Sequence, residues 1–161
     1  WAASRGHNDV VKILIENDAD VNQATADNWT PVHDAARGGH VTVLRTLMDA
    51  GADLQVKTVN HNTPLHYAAQ YDRVEAIQFL ADYGDGDLDV ANKLGQSPAH
   101  VAARYGMDKA LKALIDRRAS VLHRDKIGRD CEDICRLYKA HSTLDVVRDS
   151  AAGQRLRVLN E

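Results

Sequence analysis

Thr30-Pro31-Val32-His33 is the stretch that decides the fold, because it returns 33 residues later as Thr63-Pro64-Leu65-His66 and again, 34 residues on, as Ser97-Pro98-Ala99-His100. Each copy is followed at the same offset by Ala-Ala, at Ala35-Ala36, Ala68-Ala69 and Ala102-Ala103. A hydroxyl residue before proline is a helix start: the hydroxyl caps a free backbone N–H, and proline at the first helical position has a suitable φ and no N–H to waste. The paired alanines keep this first helix slim. A second signature recurs in phase with the first: Val10, Val11 and Leu14 precede Ala19-Asp20-Val21-Asn22, and Val43, Leu44 and Leu47 precede Gly51-Ala52-Asp53-Leu54. Apolar residues at that spacing form one stripe of a helix. Gly6-His7 and Gly39-His40 break the chain between the two helices. The unit is therefore helix, turn, helix and extended finger. One such pair cannot bury its apolar face alone, so a stack of units must supply the core.

The composition agrees with a folded, soluble stack. With 161 residues, 44% of them apolar, the chain can bury a core. Its 20 Lys and Arg against 23 Asp and Glu give a net charge of −3, too little positive field to neutralise many phosphates, so no nucleic acid is expected as partner. No apolar run approaches membrane-spanning length and no secretory signal is present, so no membrane is expected either. Two cysteines without disulfide-like spacing fit a reducing intracellular compartment, cytoplasmic or nuclear. Trp1 falls in the middle of a repeat, which predicts that the full protein has residues before it.

The Thr-Pro-Leu-His and Ala-Ala pattern at this period resembles the ankyrin repeat. The resemblance covers nearly the whole chain and implies an all-α ankyrin-repeat solenoid, about four to five stacked helix-turn-helix units with β-hairpin-like fingers. The domain then spans 1–150: a partial unit at 1–24, full units at 25–57, 58–91 and 92–124, and a C-terminal capping unit at 125–150, with 151–161 as a short tail. Departures from the pattern are local. Ala99 stands where the family has Leu, Asp72-Arg73 replace Gly-His, and Gly84-Asp85-Gly86-Asp87 carries one inserted residue. The last unit reads Asp130-Cys131-Glu132-Asp133, in which Asp130 can still cap the helix through its carboxylate.

Chemistry is sparse. The resemblance gives His33, His66 and His100 a structural role, hydrogen-bonding the helix start to neighbouring backbone, and no His-Glu-x-x-His pair accompanies any of the eight histidines. Cys131 and Cys135 fall on one face of a helix. Their spacing is not that of a zinc knuckle, even with His123 or His141 added, and two buried thiols are expected. Asp85, Asp87 and Asp89 open like a calcium loop but meet Val90 and Gln96 where glycine and glutamate are needed. No phosphate-binding glycine loop, nucleophile elbow or kinase signature occurs. We therefore expect no enzyme, no catalytic or metal site, no cofactor and no small-molecule substrate.

The resemblance implies protein–protein recognition through a concave groove and finger tips. By offset, Tyr71, Tyr105 and Tyr138 recur at one place of successive units, preceded by Gln70, Arg104 and Leu137, with Arg37 in the same row. Tyrosine combines a large apolar ring with a polar end and is enriched among binding hot spots, although it can equally cover a neighbouring helix. Trp29, at a finger tip beside Asp27 and Asn28, is the remaining contact candidate. An alternative is an architectural or substrate-recruitment segment of a larger protein or assembly whose chemistry lies elsewhere. Asn22, after Asp20-Val21 and eight residues past Leu14, also matches the sites at which asparaginyl hydroxylases modify ankyrin-like repeats. Its side chain can instead serve only to close the turn.

Overall fold

Three helices begin where a capping hydroxyl and a proline stand together: α3 (Pro31–Gly38), α5 (Pro64–Gln70) and α7 (Pro98–Tyr105). In the computed structural model, which describes residues 1–84 and 86–158, they are the first helices of three successive pairs. Their partners are α4 (Val41–Asp49), α6 (Val74–Tyr83) and α8 (Asp108–Asp116). Before them come α1 (Ala2–Arg5) and α2 (Asn8–Glu16); after them, α9 (Cys131–Tyr138) and α10 (His141–Val158). The chain is thus five stacked helix pairs, with no strand among the described residues. The expected boundary at residue 150 falls inside α10, which continues to Val158.

First helices stack on first helices, in the order α1, α3, α5, α7, α9, and second helices follow from α2 to α10 in a parallel layer. Close stacking of the first layer rests on the alanine pairs, of which Ala35, Ala36, Ala68, Ala69, Ala102 and Ala103 are wholly buried. The second layer supplies the bulk of the core through Val43, Leu44, Ile77, Leu80, Leu111, Leu114 and Val147. Each such side chain contributes about 1.5–3 kcal/mol by leaving water, so the apolar stripe of the second helices outweighs any local propensity. Ala99 is also wholly buried, its smaller side chain enclosed with the rest.

Between the helices of a pair, Gly39 and Gly106 take left-handed backbone, at φ 79° and 67°. Asp72 and Lys139 hold the same place without glycine, at φ 56°. Asp72 has a second task, since its carboxylate accepts from Ala110 N–H in the first turn of α8 at 2.7 Å. The next residue explains the replacement of Gly-His by Asp-Arg. His40 Nε2 bonds Ser4 carbonyl at 3.2 Å, and Arg73 Nε donates to Arg37 carbonyl at 3.0 Å, the equivalent atom one unit on. An arginine here performs the histidine's tie to the preceding unit.

Each finger is closed hairpin-fashion by one backbone bond, from Thr25, Thr58, Asn92 or Asp125 N–H to Trp29, Asn62, Gln96 or Arg129 carbonyl. Adjacent fingers are sewn together tip to tip by Val59 N–H to Asp27, Lys93 N–H to Asn60 and Lys126 N–H to Leu94. At the last pair, Asp130 caps α9 by accepting from Glu132 and Asp133 N–H, as its position in the sequence implies. Gln154 of α10 then receives Val121 N–H at 3.1 Å and donates to Ala119 carbonyl at 3.0 Å. One amide thus satisfies both the N–H of Val121 and the carbonyl of Ala119 in the turn after α8.

Candidate functional site

Tyr105 and Tyr138 end α7 and α9, and Tyr71 follows the last residue of α5, so the three tyrosines lie in a row along the first-helix layer. They are 43–46% exposed, which makes them surface residues rather than core. Arg104 is half-buried between two of them, its guanidinium carbon 5.1 Å from the Tyr138 ring centre and 5.7 Å from that of Tyr105. Each such contact is worth roughly 0.5–1 kcal/mol at a partly exposed site. It also holds a cation in place without an opposing charge, since Arg104 makes no ion pair among the described residues.

Gln70 and Arg104 meet at a cavity of about 290 Å³ between the first helices and the fingers, shared with Asn60, Lys93, Leu94 and Tyr105. No carboxylate lines it. Two further lining residues, Asn62 and Asn92, are committed to each other and to the finger backbone, with Asn92 Nδ2 donating to Asn62 Oδ1 at 2.9 Å.

Trp29 is not the free finger-tip indole that its sequence position suggests. It is half-buried, stacked on His33 with ring centres 5.1 Å apart and edge-on to Tyr67 of α5 at 4.5 Å. Arg37 lies over its ring at 5.2 Å and pairs with Asp34 at 2.9 Å. Trp29 and Arg37 therefore belong to one cluster that ties the finger of residues 25–29 to the helices beside it, apart from the cavity near Arg104. Tyr67, which completes this cluster, was not singled out by the sequence, and neither were Lys93 and Leu94. A signal for the latter two exists: Lys93-Leu94-Gly95 returns as Lys126-Ile127-Gly128, placing a lysine and an exposed aliphatic residue at successive tips.

The motif histidines have the geometry expected of structural groups. His66 Nδ1 accepts Thr63 N–H at 3.1 Å, which leaves Nε2–H to donate to Gln96 carbonyl, 3.0 Å away in the next finger. His33 and His100 repeat this with Thr30 and Asn62, and with Ser97 and Arg129. Burial lowers the basicity of all three, and that of His66 to a pKa of about 4. A protonated ring would place a proton on the nitrogen that must accept. Burial likewise pushes the Cys135 thiol up to about 11 and holds the Cys131 thiol well above its ordinary value, so neither is a ready nucleophile or ligand. Among the described residues no group of three His, Cys, Asp or Glu side chains is placed to hold a metal. Asp85 lies outside the described residues; Asp87 and Asp89 accept backbone N–H groups of Asp89 and Ser120.

Asn22 is exposed, yet its side chain is engaged at both ends. Oδ1 accepts Asp53 N–H at 2.9 Å and Nδ2 reaches Gly51 carbonyl at 3.3 Å, bridging to the next unit's turn.

The repeated capping boxes and the two-layer stack coincide with a family comparison: the model for ankyrin repeats, in three copies, matches residues 1–58 and 55–125. The chain belongs to the ankyrin-repeat family. A comparison with curated proteins finds no match. Ankyrin repeats are in general protein–protein interaction modules and are typically non-catalytic. No helix among the described residues is long and apolar enough to cross a membrane.

Proposed function

We propose that this ankyrin-repeat chain is a non-catalytic interaction module that grips a partner protein through its concave groove and finger tips. The observation that carries the reading is the row of half-exposed tyrosines with Arg104 held between Tyr105 and Tyr138. Rigid aromatic rings and an arginine lose little freedom on binding, and they supply most of the energy in many interfaces. Gln70, Tyr71, Arg104, Tyr105 and Tyr138 are the proposed contacts, with Trp29 and Arg37 as a second cluster nearer the start of the chain. Intracellular action, in cytoplasm or nucleus, is part of the same proposal.

The test compares the parent with a variant in which Tyr71, Tyr105 and Tyr138 are alanine and whose thermal melt matches. Both are used to capture proteins from native lysate, and the captured proteins are identified. A partner held by the parent and lost from the variant supports the groove. Identical captures from both remove it. A second proposal, an architectural or recruitment segment within a larger assembly, draws on the apolar face at α1 and α2. There Trp1, Ile13 and Leu14 are 78%, 57% and 48% exposed, which suits packing against another folded element. Modification of Asn22 is also proposed, and its hydroxylation would have to preserve or break the bridge to Gly51 and Asp53; mass spectrometry after co-expression with an asparaginyl hydroxylase reads it directly.

A further inference from the structure

The groove between the fingers of residues 58–62 and 92–96 is rich in donors that bond nothing else among the described residues. Among the described residues, the Lys93 ammonium, the Arg104 guanidinium and the Gln70 amide make no side-chain hydrogen bond, and all three line the cavity of about 290 Å³. The amides of Asn62 and Asn92 are engaged, since they bond each other and Asn92 also receives Leu94 and Gln96 N–H. A pocket with two unpaired cations, a free amide and no carboxylate favours a carboxylate guest. Beside it stand Leu94 and Ile127, 57% and 72% exposed at adjacent tips, with Tyr105 and Tyr138 on the helix side.

Near the groove the one finger carboxylate, Asp125, is buried and paired with Arg129, and most other acidic groups lie elsewhere. Asp49 and Asp82 in the last turns of α4 and α6, and Asp18, Asp20, Asp53 and Asp87 in the turns that follow the second helices, gather away from the tips that carry Lys93 and Lys126. A net charge of −3 therefore conceals a basic, partly apolar groove on an otherwise acidic molecule.

Resting on the proposed groove reading, we propose that the partner segment is acidic and aliphatic. It lies extended across the fingers of residues 58–62, 92–96 and 125–129, seats one aspartate or glutamate between Lys93 and Arg104, and packs leucine-like side chains on Leu94, Ile127 and the two tyrosines. Carboxylates of a polypeptide suit the groove better than the phosphates of a nucleic acid. Two free cations give a nucleic acid few backbone contacts, and the exposed aliphatic tips suit apolar side chains of a peptide rather than a sugar-phosphate backbone.

A display library of random linear peptides, selected on the full chain and followed by fluorescence anisotropy with a selected, labelled peptide, tests this. The expected result is an Asp/Glu-plus-aliphatic consensus. Its affinity should fall about tenfold in Lys93→Gln and in Arg104→Gln, fall with added salt, and be unchanged in Lys112→Gln on α8. Selected peptides that are neutral or basic but are lost in a Tyr105→Ala, Tyr138→Ala variant overturn the acidic partner and leave the groove reading standing. No selected peptide, or peptides indifferent to every groove substitution, overturns both. Displacement of the peptide by single-stranded oligothymidylate at lower concentration overturns the polypeptide assignment in favour of a phosphate ligand.

Discussion

At the scale of single residues, the histidine of each Thr/Ser-Pro-x-His motif is a neutral coupler whose two nitrogens have opposite duties. Nδ1 of His66 accepts from its own helix start and Nε2–H donates to the next finger. Protonation forces a donor against a donor in a buried site. Because burial holds the folded pKa near 4, below the ordinary 6.5, the unfolded chain binds more protons between those values. Stability is therefore complete above pH 6.5 and declines as pH falls toward 4. His66 alone accounts for about 3 kcal/mol over the whole window, with His33 and His100 adding in the same direction. Urea denaturation at a series of pH values should show the decline already between pH 6.5 and 5, before most carboxylates titrate. A His66→Ala variant should be less stable at pH 7 and show a flatter slope across that interval. An unchanged slope would mean that the ring is not the neutral coupler described.

At the scale of elements, α10 holds the turn after α8 and the head of α9 together. Its Gln154 holds Val121 and Ala119, and Val121 carbonyl in turn receives Cys131 N–H at the head of α9. Removing that amide in Gln154→Ala leaves a part-buried N–H and carbonyl without partners, at a cost of about 1–2 kcal/mol. The buried thiols Cys131 and Cys135 report the result. In the parent they should react with a disulfide reagent only as fast as the last pair opens, and in Gln154→Ala about tenfold faster. Equal rates would show that apolar packing alone holds α10 in place.

This element also marks how far the sequence could be read. The capping motifs and alanine pairs are local signals, tied to one turn of helix, so the three central pairs were legible residue by residue. Residues 151–158 were not, since the pattern of α10 lacks a family motif; yet Thr143, Val147 and Ala151 are buried at helical spacing across the expected boundary. Trp29 illustrates the other gap. Its half-burial depends on Tyr67, in the next unit, and a residue 38 positions away cannot be read from the neighbourhood of Trp29. The same holds for the cavity of Lys93, Gln70 and Arg104, which exists only when adjacent units stack.

At the scale of the whole molecule, every pair touches only its neighbours, so α5 and α7 are supported on both sides while α1 and α9 have one first-helix neighbour each. Stability in such an array is a sum over units and interfaces. Amide hydrogen exchange should therefore show the greatest protection in α5 to α8 and decreasing protection toward both ends. Uniform protection along the chain would instead indicate a single cooperative unit. The two edges of the stack differ in what they tolerate. Finger residues are bonded from both sides, by the histidine behind and the tip beyond, and their register leaves no slack. The turns after the second helices carry one extra residue between Gly84 and Asp87, and at Gly84 the carbonyl still receives Gln55 Nε2 of the preceding unit at 2.8 Å. A loop grafted beside that extra residue should therefore cost the stack less than the same loop placed in a finger, and thermal melts of the two insertions would read the difference.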